Sequence, residues 1–134
     1  MGEIRSFRDP RAYQAGRRLA AEADRWSRDL PGDERFGLAG QIRRCAVSIP
    51  LNITGGYGKG TTADFLRRLR DARGSASELQ ARMDLAADLH DAPGSATLNG
   101  RTGDTVRLPQ ALIRSLEEER REAQDRKPTP KPPP

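Results

Sequence analysis

The chain has 134 residues, of which 34% are hydrophobic, 32% charged and 4% aromatic, and its formal net charge is +5. This length suggests a single domain, and the lack of an apolar run of about 18 residues argues against a transmembrane protein. The first eight residues contain no apolar segment of a secretory signal, and one cysteine cannot form an internal disulfide, so we expect a cytoplasmic protein. The chain has one histidine and one cysteine, too few to form a zinc site within one chain, so we expect no metal site and no cofactor.

The excess of positive charge lies in the middle of the chain. Residues 34–75 contain eight basic and three acidic side chains, a balance of +5, whereas residues 1–33 balance to +1 and residues 76–134 to −1. A local basic excess is typical of proteins that bind a polyanion. A charged helix face that only keeps the protein in solution gives the same composition, so both interpretations stay open.

Apolar residues recur every three or four positions along most of the chain, which predicts helices. The first helix is expected over residues 9–30. Asp9 suits the N-cap and Pro10 suits the first helical position. The run Pro31-Gly32-Asp33 predicts the turn that ends this helix.

A second helix is expected over residues 34–54. Pro50 lies inside its apolar pattern, and because the pattern continues to Ile53, we expect a kink at Pro50 and not the end of the helix. The glycine-rich run 55–60 resembles a phosphate-binding loop only superficially. Lys59 is followed by glycine where such a loop has serine or threonine, so the run is predicted to be a turn between helices.

The third helix, expected over residues 61–90, has the most regular pattern in the chain. Thr61 or Thr62 suits its N-cap. Apolar positions alternate between spacings of four and three over more than three heptads, which predicts a continuous seam for packing against a neighbour. The seam residues are Phe65, Leu69, Ala72, Ala76, Leu79, Met83, Ala86 and His90.

The last third of the chain has a weaker pattern. Residues 91–108 are expected to form a loop, in which Asn99-Gly100 could support a small hairpin. A shorter helix is expected over residues 109–126, and the proline-rich tail 127–134 is expected to be disordered. The predicted fold is therefore all-α, an antiparallel up-down-up-down four-helix bundle over residues 1–126.

The residue types that usually carry catalysis are sparse. Cys45 lies on the apolar stripe of the second helix, with no histidine near it in the sequence, so a buried thiol is expected. His90 is expected to help cap the third helix, and Trp26 to anchor a core or an interface. The acidic residues are scattered over polar faces and form no carboxylate pair, so we expect no enzymatic activity.

Basic side chains are the informative group. Seven of them lie off the apolar stripes of the second and third helices or in the turn between these helices. Arginine outnumbers lysine among them, which favours bidentate contact with phosphate, and the lack of aromatic neighbours argues against base stacking. We therefore expect contact with the backbone of RNA or DNA without sequence specificity. The candidate nucleic-acid-binding residues are Arg43, Arg44, Lys59, Arg67, Arg68, Arg70 and Arg73.

A long ordered run in the second helix resembles a known family. The run Gln41-Ile42-Arg43-Arg44-Cys45-Ala46-Val47-Ser48-Ile49-Pro50 is preceded by Glu34-Arg35-Phe36-Gly37-Leu38 and followed by Asn52-Ile53. Phe7-Arg8-Asp9 upstream and Ala72-Arg73-Gly74-Ser75 downstream extend the match over roughly residues 7–90. This pattern is similar to that of the bacterial four-helix-bundle proteins encoded in intervening sequences of large-subunit ribosomal RNA genes.

The resemblance implies more than the composition does. The same fold is used by the accessory variability determinant of diversity-generating retroelements. It implies a homo-oligomer, a pentameric ring with a basic surface, that binds nucleic acid and a reverse transcriptase. The family has no established catalytic residues. The chain departs from the family pattern at Thr54-Gly55-Gly56, where an alanine-glutamate-glycine run is usual, so an acidic contact is lost.

Two functions from different classes follow. The first is a non-enzymatic, nucleic-acid-binding oligomer that acts as an accessory to a reverse transcriptase. The second is a protein-interaction scaffold of the intervening-sequence family whose basic face is only solvated. Neither function requires a membrane.

Overall fold

The computed structural model describes residues 9–58, 60–126 and 133, and every regular element in this part is helical. The elements are α1 (Pro10–Ser27), a short 3-10 helix (Gly32–Glu34), α2 (Leu38–Tyr57), α3 (Thr62–Leu89), α4 (Ser95–Thr105) and α5 (Arg107–Asp125). The predicted all-α class is confirmed for the described residues.

Two helix starts are fixed by the side chains that the sequence predicts. The Asp9 carboxylate accepts a hydrogen bond of 2.9 Å from the backbone N–H of Arg11, and the Thr61 hydroxyl accepts one of 3.1 Å from the backbone N–H of Asp64. Each bond satisfies an amide that has no partner inside its helix. The Arg11 guanidinium also binds Asp9, and this hydrogen bonding holds the pKa of Asp9 below its usual range.

The core forms where α2 packs against α1 on one side and α3 on the other, and both α4 and α5 pack on α3. The predicted seam of α3 is buried within the chain as far as Ala86. Because the chain covers this seam by itself, the seam no longer requires a second subunit. Its buried members, each 2% exposed or less, are Phe65, Leu69, Ala72, Ala76, Leu79, Met83 and Ala86.

Glycines allow the helices to approach closely at two points. A Cβ on Gly16 of α1 would lie 3.1 Å from Pro50 Cβ, and a Cβ on Gly56 of α2 would lie 2.7 Å from Phe65 Cδ1. The second distance is far below ordinary carbon–carbon contact, so only glycine fits there without a shift of the buried ring. Pro50 lies inside α2, as expected, and α2 continues past it.

The structure corrects several predicted elements and boundaries. α1 ends at Ser27 and not at residue 30, and α5 begins at Arg107 and not at residue 109. Residues 91–108 are not a loop with a hairpin, because α4 occupies Ser95–Thr105 and buries Leu98 and Thr102. α2 begins at Leu38 and not near residue 34, since the 3-10 helix and Gly37 precede it. α2 also includes Gly55 and Gly56 and ends at Tyr57, so the turn before α3 is shorter than the glycine run indicates.

No helix in the described part of the chain combines the length and the apolar character needed to cross a membrane. The tail 127–134, predicted to be disordered, lies outside the described residues except for Pro133.

Candidate nucleic-acid interface

Arg43 of α2 is half-buried and joins three elements. Its guanidinium donates hydrogen bonds to Ser27 Oγ (3.3 Å) and to the backbone oxygen of Arg35 (3.2 Å), and it lies 4.0 Å from Asp24. These contacts tie α2 to α1 and to the turn before α2, and the binding of nucleic acid by Arg43 stays a prediction.

Arg68 and Arg70 lie on opposite sides of α3. The Arg68 guanidinium packs over Gly55 of α2, where an added Cβ would lie 2.2 Å from its Nη2, and its buried Nε makes no hydrogen bond. Arg70 points the other way and donates a 2.8 Å hydrogen bond to Glu117 of α5. This bond lowers the pKa of Glu117. Arg68 thus contributes to the packing of α2 against α3, whereas Arg70 is exposed and forms a surface ion pair between α3 and α5.

The other predicted arginines are exposed. Arg67 lies 3.8 Å from Asp64 on the same helix and is 62% exposed, a weak surface pair. Arg44 and Arg73 are exposed and have no carboxylate within 4.0 Å among the described residues. Lys59 lies outside the described residues.

The seven predicted residues do not form one continuous patch. Arg43 and Arg68 face neighbouring helices, and Arg70 is held by α5. Arg44 and Arg73 come from different helices. Arg44, Arg67 and Arg73 are the predicted arginines of α2 and α3 that are exposed and make no hydrogen bond to another element in the described residues. Arg70 is exposed as well, but it is engaged by Glu117.

The arginines of α1 were not among the residues predicted to bind nucleic acid. Arg17, Arg18 and Arg25 are exposed, and none of them has a carboxylate within 4.0 Å in residues 9–58 and 60–126. The segment balance of +1 hid them, because it includes acids that are paired elsewhere or lie outside the helix. Arg18 and Arg25 could have been found from their seven-residue spacing, shared with Arg11, which places them on one helix face. Arg17 lies about 100° around the helix from Arg18 and does not belong to that spacing.

Cys45 is buried, as predicted, and its thiol donates to the backbone oxygen of Ser75 at 3.0 Å. Burial raises the pKa of the Cys45 thiol. His90, which was expected to help cap α3, also makes a contact outside that helix. Its Nε2 lies 2.8 Å from Glu34 Oε2, and this contact joins the end of α3 to the 3-10 helix. These contacts give Cys45 and His90 structural roles.

Trp26 is half-buried and joins α1 to the turn before α4. Its indole N–H donates to the backbone oxygen of Pro93 at 2.9 Å. Gly94 follows in a left-handed conformation (φ 88°) that favours glycine, and an added Cβ would lie 3.5 Å from the indole ring. The predicted anchor thus lies at an intrachain contact.

Within residues 9–58 and 60–126, no three side chains from His, Cys, Asp and Glu come together in a way that could hold a metal ion.

The model of the 23S rRNA-intervening sequence protein family matches residues 8–96. This span covers α1, α2, α3 and the start of α4, which is more than half of the chain. No curated protein sequence matches the chain. Because the family model matches more than half of its residues, the chain belongs to the 23S rRNA-intervening sequence protein family.

Proposed function

We propose that this member of the 23S rRNA-intervening sequence protein family is a non-enzymatic oligomer that binds the phosphate backbone of RNA or DNA. The observation that carries the proposal is the set of exposed arginines with no carboxylate within 4.0 Å among the described residues, including Arg44 and Arg73 on α2 and α3. A guanidinium with no hydrogen-bonded acidic partner keeps its hydrogen-bond fork for phosphate, although the charge of Arg73 also helps to lower the pKa of Glu117.

The fold proposed for this function is an antiparallel up-down-up-down bundle of α1, α2 and α3, completed by α4, which packs on α1 and α3, and by α5, which packs on α3. Contacts along α2 and α3 support it. Cys45, early in α2, reaches Ser75 in the middle of α3, whereas Gly56, at the end of α2, approaches Phe65 near the start of α3. The two helices thus run in opposite directions along their contact.

Self-association is part of the proposal, and its support comes from exposed apolar side chains. Val47 and Leu51 lie one turn apart on α2 and are 44% and 57% exposed, and Leu85 and Leu89 of α3 are 51% and 64% exposed. A second copy that covered these side chains would gain apolar burial. The resemblance to the accessory variability determinant adds a pentameric ring, and a reverse transcriptase as a partner.

The second candidate function is a protein-interaction scaffold without nucleic-acid binding. The engagement of Arg43, Arg68 and Arg70 in contacts between elements favours it, because these side chains are then explained by packing alone. The two functions differ in one measurable property, the salt dependence of binding to nucleic acid.

The experiment is a binding titration of the full chain with a structured RNA hairpin and with duplex DNA at several salt concentrations. If the proposal holds, both bind, the affinity falls steeply with salt, and sequence changes in the probe have little effect. Arg67→Glu with Arg73→Glu should weaken both complexes alike. Arg70 is not a suitable target, because its replacement also breaks the bond to Glu117.

A parent protein that binds neither probe with salt sensitivity refutes nucleic-acid binding and leaves the scaffold function. Light scattering at micromolar concentration tests the oligomer separately. A monomer there contradicts self-association, whatever the binding result.

A further inference from the structure

The outer face of α1 has an uncompensated positive charge. Residues 10–28 contain five arginines and two acids, a balance of +3. Two of the arginines are paired, Arg11 with Asp9 and Arg28 with Asp24. The other three, Arg17, Arg18 and Arg25, have no carboxylate within 4.0 Å in the described part of the chain. We call these three side chains the α1 arginine face.

The two acids within α1 are occupied. Glu22 pairs with Arg101 of α4, and this contact raises the pKa of Arg101 by hydrogen bonding. Asp24 binds Arg28 and lies 4.0 Å from Arg43. Because each of these carboxylates already faces a guanidinium, neither neutralises the α1 arginine face.

The shape of the surface suits a chain of anionic groups. Arg18 and Arg25 are seven residues apart, which places their Cα atoms about 10.5 Å apart on nearly the same side of α1. Each borders an open hollow between α1 and α4, of about 250 Å³ at Arg18 and about 390 Å³ at Arg25. The Arg101–Glu22 ion pair borders both hollows, and Asp104, which pairs with Arg107, borders the one at Arg18. The two hollows therefore form a groove with an arginine of α1 at each end and an ion pair in the middle.

The chemistry of the face favours phosphate over other anions. All three cations are arginines, whose planar fork matches two phosphate oxygens. The large apolar side chains exposed in the described residues, Phe36, Val47, Leu51, Leu85 and Leu89, all lie outside α1. A lipid surface or a protein partner usually needs exposed apolar anchors beside the charges. The aromatic rings next to the α1 arginine face, Tyr13 beside Arg17 and Trp26 in the hollow at Arg25, are partly buried in the chain itself.

We propose that the α1 arginine face, together with the groove between α1 and α4, is the principal phosphate-contacting surface of this protein. Its ligand is the sugar-phosphate backbone of a nucleic acid that runs along α1, and the contact is independent of base sequence. This inference rests on the proposed function, because it assumes that nucleic acid is bound. It adds which surface binds the phosphates: the α1 arginine face makes the main contacts, and the residues predicted on α2 and α3 make the weaker ones.

The test compares two charge reversals of equal size in the full chain. The first variant is Arg18→Glu with Arg25→Glu. The matched control is Arg114→Glu with Arg121→Glu, two arginines of α5 that have the same seven-residue spacing and are also exposed. Circular dichroism and light scattering establish that helix content and oligomer size are unchanged. If a reversal disturbs the fold, the neutral pairs Arg18→Ala with Arg25→Ala and Arg114→Ala with Arg121→Ala replace it.

The probes are a labelled RNA hairpin, duplex DNA of equal length, and vesicles that contain phosphatidylserine. Loss of two phosphate contacts should reduce the slope of log affinity against log salt by about 1.8 for duplex DNA, and should weaken binding about thirtyfold near 0.15 M salt. The α5 control should change the affinity less than threefold. Arg67→Glu with Arg73→Glu should fall between the two.

The outcomes separate the inference from the proposed function. If the parent binds RNA or DNA and the α1 variant is no weaker than the α5 control, the α1 surface is refuted and nucleic-acid binding stands. If the parent binds neither nucleic acid, both are refuted. Binding to the vesicles in preference to both nucleic acids also overturns the inference, because the ligand is then a lipid surface.

Discussion

Gly56 offers the sharpest test of how α2 and α3 pack. Replacing Gly56 with alanine would place a methyl group 2.7 Å from Phe65 Cδ1 and 3.2 Å from Arg68 Cβ. Phe65 is 2% exposed and packed in the core, so its ring cannot move aside into solvent. The methyl group therefore has to be accommodated by a shift of the helices or by a strained rotamer.

The magnitude follows from two opposing effects. Adding a methyl group to a filled core costs about 1–3 kcal/mol. A glycine-to-alanine change inside a helix gains at most about 1 kcal/mol, and Gly56 lies at the end of α2, where the gain is smaller. We expect Gly56→Ala to reduce the free energy of unfolding by about 1–2 kcal/mol.

Gly74→Ala is the matched control. Gly74 lies inside α3, and apart from the neighbouring backbone of α3 itself, no atom of the described residues lies within 4 Å of an added Cβ. The same substitution should therefore stabilise the protein by about 0.5–1 kcal/mol. Thermal unfolding at equal protein concentration measures both variants, since self-association makes Tm depend on concentration. If Gly56→Ala melts at or above the temperature of Gly74→Ala, the close approach of α2 and α3 at Gly56 is refuted.

Three further predictions follow from individual contacts. The Cys45 thiol should react slowly with a thiol reagent at about pH 8 in the native protein and fast in denaturant, because burial raises its pKa; equal rates contradict its place in the core. The Glu117→Gln variant should lose less stability than the parent as the pH falls from about 5 to 3. Because the pKa of Glu117 is lowered in the folded protein, the ionised carboxylate stabilises the parent fully above its ordinary pKa of about 4.3, and this stabilisation is lost as the pH falls below it. Parallel curves of stability against pH would count against the bond to Arg70. Deleting residues 127–134 should leave the melting temperature unchanged within about 1 °C, because the core cluster ends at Leu116; a larger drop requires packing by the tail.

Periodicity predicted the strongest helices correctly, and the reason is physical. The seam of α3 repeats over three heptads, and its apolar members down to Ala86 are buried. The caps at Asp9 and Thr61 were also predictable, because each depends on one side chain next to its own helix. Local interactions of this kind depend on neighbouring residues, so they can be predicted from the sequence.

The missed elements depend on contacts distant in the sequence. α4 has a low apolar content and contains Gly100 and Gly103, which lower helix propensity, yet Leu98 and Thr102 are buried by other helices. The Thr102 hydroxyl donates to the Leu98 backbone oxygen, so burial leaves no unpaired hydroxyl. Tertiary packing thus outweighs local propensity here, and no pattern within residues 91–108 indicates it.

Charge counting along the chain has a related limit. The field outside a protein depends on charges that remain uncompensated at the surface, and not on the sum over a segment. In residues 34–75, Arg70 binds Glu117 and Arg43 lies 4.0 Å from Asp24, so part of the +5 balance is compensated by acids from other segments, and Arg68 is half-buried over Gly55. In α1 the reverse holds, because the acids near Arg18 and Arg25 are themselves paired. A helix from a segment of nearly balanced charge can therefore present the stronger positive surface, and replacing its arginines is the more informative perturbation.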